Sequence, residues 1–364
     1  MKKLALVAMA AAALILTGCS KKQAAETKIT KDNIKIGFVY IGTINDQGYT
    51  QAQDKGRLAL AELGIDLNKQ TMYKENVPEN ADCEKAIRDL IDAGCNVIYT
   101  TSFGFMDWTF KVAEEYPNIK FAHCSGYKTA PNMSTYFGKV YEARYLAGIV
   151  AGLKTKTNKI GYVAAFAIPE CIRGINGFTQ GVKSVNPDAT VEVVWTNTWF
   201  DPTLEKQGAL ELLNKGCDVI EQHQDTTAPQ VAAQEKGAFC LGYNSPTPNA
   251  APKAYLTAPI FNWGTFIKDD VQKILDGTWT SRKYWEGLSA GMVDLDALTD
   301  LCAPGTAEKV AAAKAAIMDG SLKIFEGPVA DQNGKVVVPA GTVMTDDEVW
   351  NMSWFVNGVI GNIN

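Results

Sequence analysis

Five short stretches of the chain combine aromatic rings with amides and carboxylates, residue types that suit recognition better than bond breaking. They are Asn45-Asp46-Gln47-Gly48-Tyr49, Thr101 to Trp108 with Phe103 inside it, Trp195 to Pro202 around Trp199, Gln222-His223-Gln224-Asp225, and Asn244. A flat heterocycle can stack on rings such as Tyr49 and Trp199, and such stacking contributes roughly 1–3 kcal/mol per base in nucleic-acid systems. Asp46 and Asp225 can accept from its N–H groups, while Asn244 can both donate and accept. The same groups would suit a sugar. Each also has a purely structural reading: Trp199 as core beneath a turn, and Asp46 or Asp225 as the cap of a following helix.

Nucleophilic catalysis has no full signature here: the one Gly-x-Ser-x-Gly match, Gly287-Leu288-Ser289-Ala290-Gly291, is not followed by a helical pattern, and no Gly-x-x-x-x-Gly-Lys phosphate loop occurs. His123 and His223 are the only histidines and no Cys-x-x-Cys pair exists, so no metal and no cofactor are expected. His123, beside Cys124 in an apolar run, reads as core, and His223 remains available to a ligand. The enzymatic alternative is hydrolysis of a nucleoside with Asp46 or Asp225 as the base; binding without turnover is the reading adopted.

These loops need strands to hold them, and the chain supplies the same order twice. Ile34 to Tyr40 is a β-branched and aromatic run, followed by helical spacing from Asp46 to Leu63. Lys159 to Val163, followed by Ile168 to Phe178, repeats this about 120 residues later. Ala86 to Ala93 with Gly94-Cys95-Asn96-Val97-Ile98 pairs with Ala209 to Lys215 and Gly216-Cys217-Asp218-Val219-Ile220. Both read as a helix, a glycine in the left-handed stop position, and a strand buried on both faces, with Cys95 and Cys217 structural. A third strand recurs as Ile119 to Gly126 and Gly237 to Asn244.

Strands alternating with amphipathic helices predict an α/β fold of two lobes, each a mainly parallel sheet with helices on both faces. Ligands of such sheets bind beyond the strand carboxyl ends, so the cleft between the lobes is the expected site. Lobe one is placed at 34–130 plus about 253–285, and lobe two at 131–245 plus about 286–364. After Asn262 come a helix from Thr265 to Leu275, a hairpin turn at Gln332-Asn333-Gly334, and a last helix opened by Thr345 with Glu348 as a capping box. Trp350 and Trp354 are expected on one face of that helix.

The first residues address the protein. Lys2 and Lys3 precede an uncharged run from Leu4 to Ile15 and then Leu16-Thr17-Gly18-Cys19, the form of a signal peptide over 1–18. The run is too short to span a bilayer. The Leu-x-Gly-Cys ending resembles bacterial lipoprotein precursors, which implies cleavage before Cys19 and acylation of it, with 19–33 as tether. Cys19 is one of 8 cysteines; most of the others are expected to be buried free thiols. A net charge of −5 and 46% hydrophobic residues describe an acidic globular protein with no basic face for nucleic acid.

Thr100 to Asp107, Ile168 to Asn176, Asn197 to Pro202 and Asn262-Trp263-Gly264, in this order and spacing, resemble the basic membrane protein (BMP) family of lipoproteins. The resemblance covers nearly all of the mature chain. It implies a fold like that of type I periplasmic binding proteins and the substrate-binding role of an ABC importer, with a purine nucleoside or nucleobase between the lobes. Carried over by position, it implies Tyr49 and Trp199 or Phe200 as stacking walls, Asp46 and Asp225 as polar partners, and Phe103 on the floor. Where nucleoside-binding members hold ribose hydroxyls with Asp and Lys, this chain has Asn244 and Asn262 with Trp263, which puts a free base such as adenine level with a nucleoside. The expectation is therefore a monomeric receptor, lipid-anchored through Cys19 on the extracytoplasmic face of the cell membrane, delivering to a permease. A sensor, or a binding protein for sugars, is the alternative.

Overall fold

The computed structural model describes residues 28–363, so the signal peptide, Cys19 and most of the tether lie outside the described residues. The end of the expected tether is packed: Ile29 is buried, and the Ile34 amide donates to the Thr30 carbonyl at 2.9 Å.

The chain runs β1 (Ile36–Val39), α1 (Tyr49–Leu58), α2 (Leu67–Gln70), β2 (Thr71–Lys74), α3 (Ala81–Asp92), β3 (Val97–Thr100), α4 (Met106–Glu115), β4 (Lys120–Cys124) and β5 (Met133–Gly138). It continues through α5 (Val140–Lys154), β6 (Lys159–Ala164), α6 (Pro169–Val185), β7 (Thr190–Trp195), α7 (Pro202–Asn214), β8 (Val219–His223), α8 (Ala228–Glu235) and β9 (Phe239–Cys240). The last third contains β10 (Pro259–Phe261), α9 (Trp263–Asp276), β11 (Lys283–Glu286), β12 (Val293–Leu295), α10 (Thr306–Met318), β13 (Val329–Ala330), β14 (Val336–Val338), α11 (Asp346–Trp350) and β15 (Val359–Ile360).

Two parallel sheets result, in the orders β11-β5-β4-β3-β1-β2 and β15-β7-β6-β8-β9. Every residue of β1, β3 and β8 is buried, as parallel strands covered by helices on both faces require. The sequence duplication is visible in the backbone: Gly94 and Gly216 both stop their helices at φ 94°, ahead of β3 and β8. Cys95 and Cys217 lie buried where those strands begin, and of the seven free cysteines among the described residues only Cys302 is partly exposed.

The lobe boundary differs from the expected crossing at Pro131. β5 pairs with β4 on one side and β11 on the other, so the first lobe keeps the chain through Gly138 and crossing begins at α5. The chain recrosses after β9 and after β11, and the antiparallel pair β10–β12 lies between these later crossings. The final helix is also shorter than expected. Its capping box from Thr345 to Glu348 is present, but α11 stops at Trp350, so Trp354 does not share its face. Gly334, at φ 82°, makes the β13–β14 turn.

One contact shows how closely the lobes approach. A Cβ built on Gly48, just before α1 in lobe one, would lie 2.0 Å from the carbonyl oxygen of Asp225 in lobe two. Only a residue without a side chain fits at that distance.

Candidate functional site

Between the lobes lies a narrow cavity of ≈ 20 Å³, lined from both of them. Lobe one contributes Tyr49, Thr101, Ser102, Phe103 and Ser125, and lobe two contributes Glu170, Trp199, His223, Asp225 and Tyr243. Each follows the carboxyl end of a parallel strand or closes it: Thr101 to Phe103 follow β3, Ser125 follows β4, Glu170 follows β6 and His223 ends β8. The duplication thus places two sets of loops face to face, as open parallel sheets do at their ligand sites.

Aromatic rings dominate the walls. Trp199 is braced by Phe166, edge-on at 5.2 Å between centroids, and lies 6.1 Å from the His223 ring. The Tyr49 hydroxyl is already occupied, donating to the Thr101 carbonyl and accepting from Gln53 Nε2 at 3.1 Å. What Tyr49 can offer a ligand is its ring. The hydroxyls of Thr101 and Ser102 are likewise engaged, with Thr101 donating to the Val39 carbonyl at 3.0 Å and Ser102 to Glu79 Oε1 at 2.5 Å.

The carboxylates are different. Asp225 is 6% exposed, and among the described residues nothing donates a hydrogen bond to its side chain. Burial, reinforced by the charges of Asp46 and Glu205, pushes its carboxyl well above the usual range. Glu170, in the first turn of α6, is pushed up to about 7 by burial. Its nearest polar neighbour is His223 Nε2 at 3.4 Å, which also meets the Tyr243 hydroxyl at 3.1 Å. Burial holds His223 well below its ordinary pKa, so the ring is neutral. Behind it Arg144 fixes the floor, pairing with Glu221 at 2.5 Å, donating to the Gln222 carbonyl at 3.1 Å, and lying over the Tyr243 ring at 4.1 Å.

A buried acid whose pKa is raised by folding adds stability below its unfolded value near 4.5, and that contribution is lost as pH rises through the folded value. Relative to Glu170→Gln, the ligand-free wild type is therefore expected to lose up to about 3 kcal/mol of unfolding free energy between pH 4.5 and 7. Urea titrations of both proteins across that window check it; a difference that does not change with pH would contradict it.

Tyr49, Phe103, Trp199 and Asp225, four of the expected ligand residues, come together in this cavity, and five others are placed elsewhere. The Asp46 carboxylate accepts the amides of Gly48, Thr50 and Gln51 at 2.8–3.0 Å, so it caps α1, and it borders an outer groove beside Phe200. Phe200 is 44% exposed there, neither a cavity wall nor core. Asn262 is exposed and ties its amide to the Gly291 carbonyl at 3.1 Å. Trp263 is buried behind the wall, stacked on Phe261 at 4.3 Å and edge-on to Tyr49 at 6.0 Å. Asn244 is buried at φ 69°, bridged to Ile260, and does not line the cavity.

Glu170 and Tyr243 are site residues that the sequence did not single out. Glu170 stood in a recognised stretch, two residues after Ile168, at the position of lobe two that corresponds to Asp46 in lobe one. Tyr243 is the neighbour of Asn244, and strand-end alternation exchanges which of the two faces the cleft. Among the described residues there is no cluster of three or more potential metal ligands, and no helix long and apolar enough to cross a membrane.

Comparisons with known proteins identify the family and agree with the fold. The family model for PnrA-like ABC transporter substrate-binding proteins, Bmp, matches residues 33–325. A purine-binding protein of Brucella abortus is 40% identical over 330 residues, covering 90% of this chain and 93% of the relative. A protein of Haloferax volcanii named for glucose binding in an ABC transporter is 36% identical over 333 residues, covering 91% and 82%. An ABC transporter solute-binding protein of Aeropyrum pernix superposes with a TM-score of 0.70 at 18% identity, covering 87% of this chain and 95% of that one.

Proposed function

Because the chain belongs to the Bmp family of PnrA-like ABC transporter substrate-binding proteins, we propose that it captures a purine nucleobase or nucleoside between its lobes and delivers it to a membrane permease. The protein is extracytoplasmic, held at the membrane by lipid on Cys19. Tyr49 and Trp199, one from each lobe, stack on the two faces of the ring while Asp225 accepts from its edge. The observation that carries this reading is the Asp225 carboxylate, buried beside two aromatic walls with no protein donor. It requires a partner bearing N–H or O–H groups, and the Brucella relative is named for purines. Closing the lobes on such a ligand needs only that the ligand bind the closed form better than the open one.

The Haloferax relative supports a second reading, a sugar. Calorimetry with adenine, adenosine and glucose separates the two. Trp199→Ala is expected to weaken purine binding about 5- to 150-fold, the equivalent of roughly 1–3 kcal/mol of stacking. Glucose binding in the absence of any purine binding would reverse the assignment, as would unchanged purine affinity in Trp199→Ala. Release of free base from adenosine over hours would make the protein a hydrolase instead.

A further inference from the structure

Resting on the purine reading above, we propose that the cavity selects the free base and rejects purines substituted at N9, because Asp225 and Glu170 together demand N–H donors from two edges of one ring. Both carboxylates line the same small cavity, from different segments of lobe two. No lysine or arginine lines it with them, so neither acid has a cation at the ligand position. Asp225 has no donor among the described residues. Glu170 meets only His223, at 3.4 Å through Oε1, which leaves Oε2 without a protein donor.

A base such as adenine has an exocyclic amine on its six-membered ring and an N–H on its five-membered ring. It can therefore satisfy two acceptors at once. Substitution at N9 removes the five-ring donor and leaves one buried acceptor unpaired. Sites built to hydrogen-bond an N–H can reject analogues lacking it by as much as 10⁴–10⁵-fold. A carboxyl poised near neutrality can take up a proton instead, which limits the penalty, so about 100-fold is the expected discrimination.

A ribose would also find little to hold it. The Thr101 and Ser102 hydroxyls already donate to the Val39 carbonyl and to Glu79, and the Asn262 amide donates to the Gly291 carbonyl. The His223 and Tyr243 side chains beside Glu170 are buried and bonded to each other at 3.1 Å.

The test is calorimetry of the full chain at pH 7.5 with adenine, 9-methyladenine, adenosine and glucose, repeated with Glu170→Met, which keeps the side-chain length and removes the acceptor. Adenine is expected to bind about 100-fold more tightly than 9-methyladenine, and Glu170→Met to narrow that ratio at least tenfold by weakening adenine alone. A wild-type ratio below tenfold, or a ratio unchanged in Glu170→Met, overturns the inference while leaving purine binding intact. Binding of glucose with no binding of any purine removes the purine reading itself. Should Glu170→Met not fold, the wild-type ratio still decides.

Discussion

Gly48→Ala is expected to weaken ligand binding about 100-fold, or roughly 2.7 kcal/mol, while leaving the ligand-free protein as stable as before. The added Cβ would stand 2.0 Å from the Asp225 carbonyl oxygen and 2.9 Å from its carbonyl carbon, both backbone atoms. Backbone cannot swing aside as a long side chain can, so the clash is relieved only by moving one lobe from the other. The open form avoids the contact and pays nothing. Ligand affinity carries the whole effect, because only the closed form completes the wall made by Tyr49 and Trp199. Calorimetry measures the loss, and small-angle scattering shows whether the variant stays open with ligand present. Wild-type affinity in Gly48→Ala would mean that binding does not need this approach of the lobes.

Asp225→Asn is expected to have effects of opposite sign on binding and on stability. Hydrogen bonds to a charged acceptor contribute about 1.5–3 kcal/mol, so losing the charge should weaken binding roughly 10- to 150-fold. The empty protein should become more stable at neutral pH. Burial raises this carboxyl well above its ordinary range, so the wild type loses stability as pH rises from the unfolded value near 3.9 through the folded one. Asparagine does not ionise, and the melting temperature of Asp225→Asn should exceed that of the wild type at pH 8 and converge on it near pH 4. Weaker binding accompanied by lower stability at pH 8 would identify Asp225 as a structural residue. A group that destabilises its own fold and strengthens binding is the pattern expected where a site is held ready for a ligand.

The pH dependence of binding follows from the same group. A ligand N–H donor prefers the ionised carboxylate, so binding should release a proton and affinity should fall as pH drops below the raised value. That direction is opposite to the effect on the empty protein, and the two together separate ligand recognition from folding.

Much of the fold was legible because it is written in local pattern. The strands β1 and β3 are largely apolar runs, β6 is one after Lys159 and β8 opens as one at Val219-Ile220, and Gly94 and Gly216 mark helix stops through a backbone angle that other residues adopt poorly. The repeat of helix, glycine and strand therefore showed two copies of one unit. Looking for ligand residues after strand ends followed from that, and it singled out Tyr49, Phe103, Trp199 and Asp225, which line one cavity, without any tertiary information.

The errors have a common cause. Asp46 and Asn262 occur at helix starts, where a carboxylate or amide can serve the chain's own backbone as readily as a ligand. Asp46 does so with three amides, and Asn262 with the Gly291 carbonyl. Asn244 lies one position from the cavity residue Tyr243, with its backbone bridged to Ile260, and Trp263 lies behind Tyr49, stacked on Phe261. The boundary at Pro131 failed because β5 is continued by β11, a strand about 145 residues later whose pairing no local pattern announces.

The sequence by itself determined the α/β duplication, the candidate family and the loops that bear the site, because periodicity, glycine stops and residue chemistry are local properties. Tertiary structure alone decided which of those polar groups remain free. Trp199 and Asp225 share a cavity with Tyr49 only because two lobes come together at Gly48, and Glu170 is left with an unpaired oxygen only because the described residues around it supply one histidine, at 3.4 Å. Burial and the absence of a donor are properties of the whole packing, not of any stretch of chain, and they are what distinguish a ligand's carboxylate from a helix cap.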